Sequence, residues 1–297
     1  MARGKVENIM DSNPTLEEHG YMRLPYPPAL KAAVAEAVSA WKAFCALPEE
    51  VKLHFTYTND TTVGSGVGYE LKKGGNGVDV KENFHVRASQ RPFLMAEAQK
   101  VGPAALAFVT TALNINTHLL PFVREFSQMA ELAYAMPGFE IDVCKAMPRW
   151  TLRFLHYFPT GDAAELMASH HPDKGGFTPH LWESAPGLER LTFDENPAER
   201  TWVPMPFAHD ETVIFPGLRM QHRSRCRLKA TCHRVVANEQ TAKEGRYSAV
   251  AFVDFLNTPY FDKLRVGRTQ AFAPGFNYDM PFEEFKTYFA TANPKGY

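Results

Sequence analysis

Two textures divide the chain. Over roughly the first 130 residues, apolar positions recur mostly at helical spacing. From Trp150 onward, short stretches alternate apolar and polar positions between turns. Residues 28–44 put Leu30, Val34, Ala37, Val38 and Trp41 on one stripe and predict a helix. Pro28 suits the first turn of that helix, where a missing N–H costs nothing. Pro48 opens a short second helix with Glu49 and Glu50 at its positive end. Residues 58–77, rich in Gly, Thr and Asn, read as an exposed loop with a brief strand near 67–69. A long helix is expected over about 95–135, with Pro121 as a kink or boundary.

In the second half, β-branched and aromatic residues predict strands at 151–157, 177–182, 188–193, 202–204, 212–215, 233–237 and 247–255. That spacing belongs to an antiparallel sandwich or barrel. The tail returns to helix from Phe282. The expected organisation is one α+β domain spanning 1–297: a mainly helical region at 1–145, a β core at 146–260 and a helical segment at 261–297.

Composition narrows the partners. A net charge of −1, with 32 basic and 33 acidic residues spread along the chain, offers no polyanion footprint, so nucleic acid is not expected. No stretch is expected to span a membrane, and no apolar leader precedes the first helix. Cys45, Cys144, Cys226 and Cys232 form no Cys-x-x-Cys pair. The expectation is a reduced, cytoplasmic protein acting on a small molecule. Oligomeric state is not readable.

The chemistry concentrates late in the chain. His171 and Asp173 are two apart, so on an extended segment they leave the same face, and His233 could close a triangle from another strand. Two imidazoles and a carboxylate suit Fe(II) and leave three positions open, whereas structural zinc favours thiolates and a closed tetrahedron. Alone, His-x-Asp is weak, since a loop histidine beside a solvated aspartate looks the same. Arg246 and Ser248 follow on a strand whose alternation points both inward. An inward arginine needs a carboxylate, either from the protein or from a dicarboxylate co-substrate chelated to the metal at its other end.

Several segments resemble the 2-oxoglutarate/Fe(II)-dependent dioxygenases, specifically the branch with isopenicillin N synthase and the plant flavonoid oxygenases. Residues 18–24 and 44–52 look like the family's helical N-terminal region, and Gly68-Tyr-Glu with Asp79-Val-Lys-Glu-Asn-Phe-His85 looks like its Gly-Tyr … Asp-x-Lys-Glu-x-Phe segment. Residues 152–159 match the strand leading to the metal, and residues 171–178 match His-x-Asp-x-Gly-x-x-Thr, ending on Thr178. Pro186-Gly-Leu188, Trp202-Val203, residues 228–236 and Arg246-Tyr-Ser248 keep the order, so the likeness covers nearly the whole chain. It implies a distorted double-stranded β-helix, a jelly roll, flanked by N-terminal and C-terminal helices. It implies Fe(II) on His171, Asp173 and His233, and 2-oxoglutarate held by Arg246 and Ser248, with O2 as oxidant. 2-Oxoglutarate would become succinate and CO2 while a small, amino-acid-like or natural-product substrate is hydroxylated, desaturated or cyclised.

The chain departs from that pattern in places. The family's tyrosine before the proline of this strand, which helps bind the co-substrate carboxylate, is expected at a position that holds Phe158. His156 stands where asparagine is frequent and reads either as a core histidine or as a contact to co-substrate or substrate. The usual Gly-Asp turn reads Gly217-Leu218. His170 is a competing ligand, disfavoured because only His171 shares a face with Asp173. Arg219, Arg223, Arg225 and Arg227 read either as a solvated rim or as a cluster in which Arg225 receives an anionic substrate. Further substrate contacts are expected from residues 58–77, from the Tyr69 neighbourhood, and from Phe282, Phe285 and Tyr288. Two other readings stand beside the main one. One is an Fe(II)/O2 oxidase of the isopenicillin N synthase type that does not use 2-oxoglutarate. The other is a non-enzymatic module that binds a small carboxylate.

Overall fold

The computed structural model describes residues 15–58, 66–75, 78–163, 165–194, 196–205, 210–256, 282–284 and 286–287. A short helix α1 (Leu16–His19) is capped by the Thr15 hydroxyl, which accepts from the Glu18 N–H. Strand β1 (Met22–Pro25) leads into α2 (Pro28–Cys45), which begins at Pro28 as predicted, and then into α3 (Glu49–Lys52). The brief strand expected near 67–69 in a loop is the start of a β-hairpin, β2 (Gly68–Gly75) and β3 (Val78–Val86), whose second strand was not expected. Val78, Val80, Phe84 and Val86 alternate with polar residues along β3, but buried Glu82 interrupts the apolar face, and the other face is polar although Lys81, Asn83 and His85 are buried.

The long helix is two. α4 (Arg91–Val101) ends at Gly102, held at φ 121°, and Pro103 occupies the first turn of α5 (Pro103–Ala133). Pro121 neither ends nor divides α5. α5 is long and apolar enough to cross a membrane, but half of the qualifying stretch is buried against protein, as in a core helix. A last helix of this half, α6 (Phe139–Lys145), precedes the β core.

Eight strands follow: β4 (Thr151–Tyr157), β5 (Leu166–His171), β6 (Phe177–Glu183), β7 (Leu188–Leu191), β8 (Trp202–Pro204), β9 (Glu211–Pro216), β10 (His233–Val236) and β11 (Arg246–Phe252). Helix α7 (Leu218–Arg223) follows β9, and α8 (Glu239–Glu244) precedes β11. Two antiparallel sheets result, in the orders β1-β9-β6-β11-β4-β3-β2 and β5-β10-β7-β8. Three strands of the larger sheet therefore come from the first 90 residues. Phe282 to Glu284 are helical as expected, while Phe285 and Tyr288 lie outside the described residues.

Each face of the larger sheet has its own core. On the outer face, Trp41 and Phe44 of α2, Phe84 of β3, Phe108 of α5 and Phe154 of β4 pack with ring centroids 5.0–6.3 Å apart. On the inner face, Leu155 and Phe215 meet Met167, Leu188 and Val235 from the smaller sheet. The two sheets thus face each other as a jelly roll, and the space between them holds the site.

Candidate active site

His171 ends β5, His233 opens β10, and the two are register partners across the smaller sheet. Asp173 lies just beyond β5 in the turn toward β6, so the turn, rather than strand alternation, brings it back to the histidines. One ligand atom from each of the three lies within 4.8 Å of the others. Asp173 and His233 are buried, whereas the His171 side chain is half exposed.

The hydrogen bonds behind these groups fix what they offer. Nδ1 of His171 lies 2.8 Å from the Ser169 carbonyl, and Nδ1 of His233 lies 3.0 Å from the Thr231 carbonyl. A carbonyl only accepts, so each Nδ1 carries the proton and each Nε2 keeps its lone pair for a ligand bond. Thr178 Oγ1 donates to Asp173 Oδ2 at 2.5 Å, while Oδ1 faces His171 Nε2 at 3.9 Å. Burial, opposed in part by the Asp173 charge, lowers the His233 pKa to about 4, so the ring is neutral at physiological pH. Two tautomer-fixed imidazoles and an oriented carboxylate fit a divalent iron with an open face. His170 is exposed and leans toward Trp202 at 5.9 Å, outside the cluster.

From the triad a cavity runs between the sheets, past Thr178, His180 and Phe215 to Arg246 and Ser248. Arg246 and Ser248 point inward, as alternation predicted. Arg246 is 1% exposed, donates from Nε to the Ala185 carbonyl at 3.0 Å, and pairs through Nη2 with Glu183. Burial pushes the Glu183 carboxyl up, but the bond from His180 and the Arg246 charge outweigh it, and the pKa is lowered overall. The arginine therefore meets a protein acid, yet its Nη1 donors remain outside both bonds.

Three residues expected near substrate or co-substrate lie on the other side of the sheet. His156 is register partner to Glu82 and Tyr247, so all three share the outer face. There His156 Nδ1 contacts Glu82 at 2.8 Å and its ring stacks on Tyr247 at 4.0 Å. Tyr69 donates to the same Glu82 carboxylate at 2.9 Å, and Lys52 donates to it at 2.6 Å. Phe158 packs on the His156 ring at 5.0 Å. These residues tie α3 and the hairpin to the sheet; none lines the cavity.

The tyrosine sought at 158 stands one position earlier. Tyr157 lines the cavity directly across from Arg246. The sequence carried the signal, because 157 shares the parity of Arg153 and Leu155 on β4, and both also line the cavity. Lys81, on the inner face of β3, was missed with its strand. The arginine cluster is also corrected: Arg219 pairs with Asp254, Arg223 with Asp142 and Arg227 with Glu17. Arg225 sits in the turn after α7 at φ 53°, and the cluster holds this region together instead of facing the cavity.

No family model matches the chain. A 2-oxoglutarate-dependent dioxygenase of Didymella fabae is 26% identical over 255 residues, 79% of this chain and 75% of the relative. A protein of Caulobacter crescentus assigned to the 2OG-Fe(II) oxygenase family is 25% identical at TM-score 0.67, covering 84% of this chain and 82% of its own. The chain is similar in sequence and fold to the 2-oxoglutarate/Fe(II)-dependent dioxygenases. A full-length Neurospora crassa protein, solved with α-KG and thymine, shares the fold at 18% identity and TM-score 0.65, over 85% of this chain and 80% of its own. Dioxygenases of this family use Fe(II), 2-oxoglutarate and O2, and the donor set described above suits that iron.

Proposed function

We propose that this dioxygenase oxidises a small organic molecule between its two sheets, with His171, Asp173 and His233 holding the iron. Arg246, Ser248 and Tyr157 would receive the far carboxylate of 2-oxoglutarate. The observation that carries this reading is one cavity lined by both groups of residues, with Nε2 of both histidines available. When bound, the iron couples decarboxylation of 2-oxoglutarate to activation of O2, which is the hard chemistry.

The chain's own residues bind and orient. Thr178 leaves Asp173 only one oxygen for the metal. Arg246 presents its remaining donors beside the Ser248 hydroxyl, a pairing matched to a carboxylate. Leu188, Phe215 and Val235 give the cavity apolar walls around the triad.

The test is turnover with Fe(II), 2-oxoglutarate and O2. The reading predicts succinate and CO2 in matching amounts, abolished in Asp173→Ala. Oxygen uptake without succinate would instead select the oxidase that dispenses with 2-oxoglutarate.

A further inference from the structure

Three permanently charged cations line the cavity: Lys81, Arg153 and Arg246. Two already have carboxylate partners, since Lys81 meets Asp79 at 2.8 Å and Arg246 meets Glu183. Arg153 has none among the described residues, and its buried Nε has no hydrogen-bond partner. A buried, unbonded guanidinium nitrogen in a cavity wall asks for a ligand acceptor.

Arg153 is also well placed for a ligand distinct from the co-substrate. It pairs in register with Val250, four residues along β11 from Arg246, which is roughly 13 Å at the ordinary strand rise. Its guanidinium lies over the Phe252 ring at 4.6 Å, which fixes the plane of its fork. Across the sheet its partner is His85, which burial, the leading cause, holds neutral with a pKa near 4; two nearby cations are already engaged, Arg87 with the Thr151 hydroxyl and Lys81 with Asp79. On that side the Glu70 carboxylate is turned to His85 at 3.7 Å and to Asn83 at 3.2 Å. Leu155, Val250 and Phe252 supply apolar surface around the guanidinium.

We propose that Arg153 binds the carboxylate of the primary substrate, a small organic acid with an apolar body, at the end of the cavity opposite Arg246. This rests on the oxygenase reading above. It also moves anion recognition from Arg225, where the sequence suggested it, to the inner face of β4.

The test compares acids with their uncharged amides on protein loaded anaerobically with Fe(II) and 2-oxoglutarate. The probes are 3-phenylpropionate against 3-phenylpropanamide and hexanoate against hexanamide, with affinity read by calorimetry. Wild type should bind at least one acid about 10-fold or more tighter than its amide, the size expected for a charge-assisted bond. Arg153→Gln should lose that preference and Arg153→Lys should keep part of it. Both variants should bind 2-oxoglutarate as wild type does and melt within a few degrees of it. Equal binding of acids and amides by wild type, failure of both acids to bind, or an intact preference in Arg153→Gln would each overturn the proposal. So would an Arg153→Gln variant whose main loss is 2-oxoglutarate affinity, because Arg153 would then anchor the co-substrate. Failure of wild type to bind 2-oxoglutarate at all would count against the oxygenase reading instead.

Discussion

Tyr157 stands directly across from Arg246, its ring centroid 5.9 Å from the guanidinium carbon, on the face that looks toward the metal ligands. Phe158 points the other way, onto His156. Replacing Tyr157 with Phe should therefore weaken 2-oxoglutarate binding about 3- to 10-fold, the value of one hydrogen bond. Iron affinity should not change. Phe158→Tyr should leave co-substrate affinity at the wild-type level, and a gain there would contradict the face assignment. Titration of 2-oxoglutarate into Mn(II)-loaded variants measures both.

Thr178 was legible only as a matching position in a motif; the structure gives it work. Its hydroxyl holds Asp173 Oδ2 and thereby aims Oδ1 at the site. Thr178→Val keeps the volume and removes the bond. It should reduce divalent-metal affinity by about 10- to 100-fold, in the range seen when a ligand's supporting bond is lost. Unchanged affinity in a calorimetric metal titration would show that the carboxylate is oriented by something else.

The Gly217-Leu218 turn was flagged because Leu218 stands where the family has aspartate, and the turn proves to pack against the loop that carries Asp173. A Cβ at 217 would lie 2.4 Å from the Gly175 carbonyl oxygen and 2.9 Å from that of Asp173. The next residue, Leu218, donates its N–H to the Asp173 carbonyl at 2.8 Å. Gly217→Ala should cost about 1–3 kcal/mol through overpacking. It should also weaken metal binding, because the loop that must yield carries Asp173. Thermal melts with and without Mn(II) separate the two effects, and a variant that binds metal normally would break the proposed link.

The outer face makes a prediction about stability alone. Glu82 is 1% exposed, and burial raises its pKa. The bonds from His156, Lys52 and Tyr69 more than compensate and bring it down to about 2. A folded pKa below the unfolded value means the stabilisation is fully present above about pH 4.5 and fades as pH falls toward 2. Glu82→Gln leaves Lys52 buried without its counter-charge and should cost about 3–5 kcal/mol at pH 7. The gap from wild type should shrink between pH 4.5 and the acid limit in urea melts. A gap independent of pH would mean that Glu82 acts through packing.

What the sequence disclosed and hid follows from how each signal is carried. The inward pair Arg246 and Ser248 was legible because strand alternation is a period-two property of the chain itself. The β2–β3 hairpin was not, because Glu82 interrupts the apolar face of β3, and the groups that satisfy it, Lys52, Tyr69 and His156, come from other elements. His156 was left between a core histidine and a site contact because its motif position suggested the site; its strand parity puts it with Glu82 and Tyr247, the core reading. Arg225 drew attention as part of a local charge cluster, yet its neighbours are consumed by Asp142, Asp254 and Glu17, all remote in sequence. The proton positions on His171 and His233 depend on backbone carbonyls and appear only in three dimensions.

The central claim is that the triad and Arg246 serve one bound co-substrate. Anaerobic addition of 2-oxoglutarate to the Fe(II)-loaded protein tests it most directly, by following the weak visible charge-transfer absorption of the iron-bound keto acid. The account predicts a saturable band in wild type, none in Asp173→Ala, and in Arg246→Lys a band that needs about 10-fold or more extra 2-oxoglutarate. A wild-type protein that binds Fe(II) yet gives no band, or an Arg246→Lys variant with an unshifted titration, would contradict it.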